Sequence, residues 1–89
     1  MEKVYSFRIT YQTNETRVLG GRASKPEYLY AVFDGMIDFE EYQKISNSHP
    51  SIKKLLHLAT NIFKKQFKNL TRIEIINTKT NEIVDFIEL

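Results

Sequence analysis

The residues best placed to do chemistry are basic side chains gathered on one side of one segment. Lys53, Lys54, His57, Lys64, Lys65 and Lys68 recur at spacings of three, four and seven, and no acid lies between 52 and 70. At about 100° per residue they share one side of a helix. Ammonium groups arrayed this way can track a phosphate backbone or meet an acidic protein surface, and Arg72 would extend the strip. The segment holds no arginine for bidentate base contact, and no aromatic stands among its cations for base stacking. The candidate contact set for a nucleic acid or an acidic partner is therefore Lys53, His57, Lys64, Lys65, Lys68 and Arg72. The competing reading is a solvated face whose charge Asp34, Asp38, Glu40 and Glu41 offset.

Three other constellations are weaker. Asp34-Gly35-Met36-Ile37-Asp38-Phe39-Glu40-Glu41 looks like the second half of an EF-hand loop, with Gly for the bend and Glu41 at the twelfth position. Tyr30 and Val32 then stand at the first and third positions, where the cation needs carboxylates, so the stretch reads as a turn and a capped helix. Leu19-Gly20-Gly21-Arg22-Ala23-Ser24-Lys25 combines glycines with cations but lacks the spacing of a phosphate loop. His49 and His57 have no acid or cysteine at ligand spacing and no nucleophile beside them. No catalytic residue, metal site or cofactor is assigned, and an enzyme is not expected.

The elements that would position these groups follow from hydrophobic periodicity. Apolar residues at 52, 55, 56, 59, 62, 63, 67 and 70 predict one long amphipathic helix, about 51–69, whose basic face runs over 52–70. Ser48 is the predicted N-cap, with Pro50 in the first turn. Residues 4–12 alternate, with Tyr5, Phe7, Ile9 and Tyr11 on one face. They predict a strand that turns at Thr13-Asn14-Glu15 and returns over Thr16–Leu19. Arg72–Asn77 and Glu82–Leu89 predict a second hairpin, with Asn81 in the left-handed region of a type I turn plus bulge. Apolar residues on both faces of the last strand, Val84 and Phe86 against Ile83, Ile87 and Leu89, favour an interior strand over an edge that pairs with another chain.

Residues 21–49 carry competing signals. Ser24-Lys25-Pro26-Glu27 matches a capping box for a helix through Phe33. Tyr28–Phe33 also has strand composition and leads into Asp34-Gly35, a hairpin dipeptide. The reading adopted is a strand over 28–33, a turn, and a short helix near 39–46. The tyrosines Tyr5, Tyr11, Tyr28 and Tyr30 are read as core and rim in preference to a binding surface.

The predicted fold is thus α+β in a single small domain, 1–89. An antiparallel sheet from N-terminal and C-terminal hairpins carries the long helix on one face. The ββαββ order is also compatible with a β-grasp-like arrangement, which implies no function.

Composition narrows the class. An apolar fraction of 42% with 27% charged residues is that of a folded, water-soluble chain. The absence of cysteine excludes disulfides and thiolate chemistry. No signal-peptide pattern and no apolar run of about 18 residues occurs, so a cytoplasmic protein without membrane contact is expected. A net charge of +2 is modest for a nucleic-acid binder. The function expected first is a small non-enzymatic binding or regulatory protein acting through protein–protein contacts. Phage or mobile-element accessory proteins and inhibitors have this size and composition. The alternative is a nucleic-acid binder using Lys53, Lys64, Lys65, Lys68 and Arg72. The sequence leaves the oligomeric state open, with a homodimer as one option, because a small core and an apolar last strand would gain from pairing.

Overall fold

The computed structural model describes residues 4–19, 23–33, 40, 44 and 51–89. The alternating N-terminal segment is a strand, β1 (Tyr5–Tyr11), and β2 (Thr16–Val18) returns antiparallel to it. Asn14 closes the turn by donating its N–H to the Tyr11 carbonyl at 2.9 Å, with φ 68°. Asparagine tolerates that left-handed backbone better than most residues. Past β2, Ala23 bridges to Tyr5 and extends the pairing toward the start of β1.

The second hairpin joins β3 (Leu70–Asn77) to β4 (Ile83–Glu88). Asn81 has φ 60°, as its turn position predicts. Its N–H reaches the Asn77 carbonyl at 2.7 Å, one residue further back than a type I turn closes. The Asn77 side chain accepts from the Lys79 and Thr80 N–H groups and holds the loop.

The two hairpins meet through β1 and β3, giving the order β2-β1-β3-β4, antiparallel throughout. A β-grasp sheet joins its hairpins through a parallel central pair, so that likeness ends at element order. β4 is an edge and not the interior strand predicted for it. A register shift in it sets Asp85 opposite Ile75 but Ile83 opposite Ile76. The extra residue in β4 moves Ile83 to the face away from the core.

The long helix, α1, spans Ile52–Gln66 and ends at Phe67. Its N-cap is Ser51, not Ser48: the Ser51 Oγ accepts the Lys54 N–H at 3.3 Å. Ser51 follows Pro50 and has extended backbone, and its hydroxyl lies three residues before the N–H it caps.

Pro26–Phe33 is a 3-10 helix where a strand was predicted. Pro26 fixes φ in the first turn, and Tyr28 donates its N–H to the Lys25 carbonyl at 3.1 Å. Leu29 and Phe33 of this helix are fully buried in the core. The short helix near 39–46 lies outside the described residues apart from Glu40 and Lys44, both helical. The Asp34-Gly35 turn, the calcium-loop likeness and Gly20-Gly21 also lie outside them.

The core sits between the sheet and α1. Phe7, Ile9, Ile73 and Ile75 face Leu55, Leu56, Ala59 and Phe63. At its centre Phe7, Phe33 and Phe63 meet in a triangle with ring centroids 5.4, 5.5 and 5.6 Å apart. Tyr5, Tyr11 and Tyr30 pack around this core, and Tyr28 is exposed with Lys25 over its ring.

Candidate functional site

The apolar face of α1 is held down by the core, which turns its cations outward. Lys53, Lys54, His57, Lys64 and Lys65 are exposed on α1, and Lys68 is exposed just beyond it. Ideal helical geometry puts the five on α1 within an arc of about 120°. Lys64 and Lys65 lie in the last turn, where cations complement the partial negative charge of the helix end. Lys53 and Lys54 stand in the first turn, which has no acid of its own and disfavours cations. Asp85 of β4 offsets this, with Oδ1 3.3 Å from the Lys53 Nζ. Lys54, His57, Lys64, Lys65 and Lys68 make no ion pair with any described residue.

Arg72 belongs to a different surface. It alternates with Ile73 on β3, so it lies on the outer face of the sheet, away from α1. There it joins a network no single segment reveals. Glu74 is 4% exposed and receives Arg8 through both carboxylate oxygens, at 2.9 and 3.2 Å. The Arg72 Nε is 3.4 Å from Glu74 Oε2, without good hydrogen-bond geometry. Arg72 also reaches Glu88 at 3.5 Å and lies 3.9 Å over the Phe86 ring. Arg8 further donates to the Asn81 side chain at 3.0 Å. This surface positions its guanidiniums by pairing them.

The arginine that approaches the C-terminal end of the lysine face is Arg17 of β2, 5.3 Å over the Phe67 ring. Sequence reading missed it because 50 positions separate the two residues. Beside it, Tyr11, Gln12, Thr13, Glu15, Lys68 and Asn69 line an open depression of about 280 Å³. Lys64, Phe67, Lys68, Asn69 and Leu70 line a second of about 300 Å³.

The remaining surface feature is the edge strand. Ile83, Val84 and Phe86 of β4, with Leu89 after it, are exposed. Among the described residues, no group of acids and histidines could hold a metal ion. No helix among them is long and apolar enough to cross a membrane. Comparison with protein-family models, curated proteins and solved structures finds no match.

Proposed function

We propose that this chain is a small non-enzymatic binding protein that acts by contact with another protein through the side chains of β4. The observation that carries this reading is the exposure of Ile83, Val84, Phe86 and Leu89, at 44%, 39%, 43% and 41%, along a single edge. Scattered apolar residues are normal on a surface, whereas an apolar cluster rimmed by charge is what interface centres use. Glu82 and Glu88 supply the rim. Its size and composition are compatible with a phage or mobile-element accessory protein or an inhibitor. The test is capture from native host lysate by tagged protein, beside an Ile83→Ser/Val84→Ser variant. The wild type is expected to retain a stoichiometric partner that the variant loses. No stoichiometric partner at gentle salt would count against the reading.

A second reading, nucleic-acid binding, is favoured by four lysines on and just beyond α1 that form no ion pair with a described residue. It uses Lys54, Lys64, Lys65 and Lys68, with Lys53 committed in part to Asp85 and Arg72 on the far side of the sheet. Binding to duplex and single-stranded DNA and RNA across salt separates the two readings. Phosphate contacts would give a steep log–log salt slope, and a flat slope would remove this reading.

A further inference from the structure

We propose that Asp85 is the residue that keeps β4 from pairing with the β4 of a second copy of this chain. The geometry starts from one main-chain bond. Leu89 donates its N–H to the Thr71 carbonyl at 3.0 Å, and Arg72, Ile73, Glu74 and Ile75 pair with Glu88, Ile87, Phe86 and Asp85 in unbroken register. Main-chain polar groups alternate in direction along an antiparallel strand. Those of Leu89, Ile87 and Asp85 therefore turn toward β3, and those of Glu88 and Phe86 turn outward.

An outward row of this kind is a template for another strand, and β4 adds exposed apolar side chains to it. The edge is also self-complementary about Phe86. A two-fold axis there sets Phe86 against Phe86 of the second copy and Val84 against Glu88 of the second copy. No acid then stands directly opposite an acid. In that register the central pair exchanges two bonds, each from a Phe86 N–H to the facing Phe86 carbonyl.

That donor is already taken. Phe86 gives its N–H to Asp85 Oδ1 at 2.8 Å, and Lys53 of α1 holds the same oxygen at 3.3 Å. The register shift of β4 falls beside it, between the pairs made by Asp85 and Ile83. Bulges and inward-pointing charges are the devices that blunt sheet edges, and both stand here beside Phe86, on which self-pairing would centre. The proposal concerns only copies of this chain and stands whether or not β4 has a foreign partner.

The test measures mass by light scattering from micromolar to millimolar concentration. Wild type is expected at the mass of one chain and Asp85→Ala at twice that mass. Asp85→Ala/Phe86→Pro should return to one chain, because proline removes the freed donor and fits an edge strand with its N side outward. Amide exchange on the wild type gives a second readout that needs no variant. The Phe86 amide should exchange roughly tenfold to a hundredfold more slowly than the equally outward Glu88 amide, as a bond to a charged acceptor implies. Wild type at two-chain mass overturns the proposal. So does a folded Asp85→Ala at one-chain mass, a double variant that still pairs, or a Phe86 amide as fast as that of Glu88.

Discussion

On the outer face of the sheet, Arg8 and Arg72 converge on Glu74, while on the outer side of α1 Lys54, His57, Lys64, Lys65 and Lys68 meet no described acid. Both surfaces carry basic side chains and they behave oppositely. A buried carboxylate must be compensated, so Glu74 recruits two guanidiniums, whose planar forks suit paired oxygens. Exposed ammoniums carry no such obligation and stay in water. Charge pairing on the sheet is part of the fold, whereas the lysine face is expected to be dispensable to folding.

Six substitutions test that contrast, from the largest effect to the smallest. Phe63→Asp places a charge in the triangle that supports both surfaces, and it should abolish cooperative unfolding by circular dichroism. Glu74→Ala removes the shared acceptor and leaves two arginines unpaired. A cost of about 2–3 kcal/mol is expected in urea denaturation, below the roughly 3–5 of a fully buried pair because both arginines are partly solvated. Ser51→Ala removes the N-cap of α1, with about 1 kcal/mol expected by the same measurement. Replacing Lys64, Lys65 and Lys68 by Ala should change stability by about 0.5 kcal/mol or less per site. If the nucleic-acid reading holds, each replacement should lower the salt slope of binding by about one. A triple-lysine variant that unfolds, or a Glu74→Ala protein as stable as wild type, would erase the distinction between the surfaces.

Much of the fold is legible in local pattern. Tyr5, Phe7, Ile9 and Tyr11 announce β1 by strict alternation, and the i, i+3, i+4 recurrence from Ile52 to Phe63 announces α1. Asn81 marks its own turn. Two errors came from equal local signals. Tyr28–Phe33 has strand composition and a capping box together, and no local period separates the two. Ser48 and Ser51 are both fair caps, and the first turn of α1 settled on the nearer one. The separation of Arg72 from the lysines was partly legible, since it alternates with Ile73 and Ile75 and must point away from their core.

The sequence by itself determined the elements, the inner face of each, and the concentration of cations on one side of α1. These depend on periods of two and 3.6 residues, which need only neighbours along the chain. Tertiary structure decided the strand order, the exposure of β4, the pairing of Arg8 with Glu74 across 66 positions, and the closure of the Phe86 N–H beside Lys53. Those depend on which strand edge finds which, and such pairings are selected by long-range packing that no local period encodes.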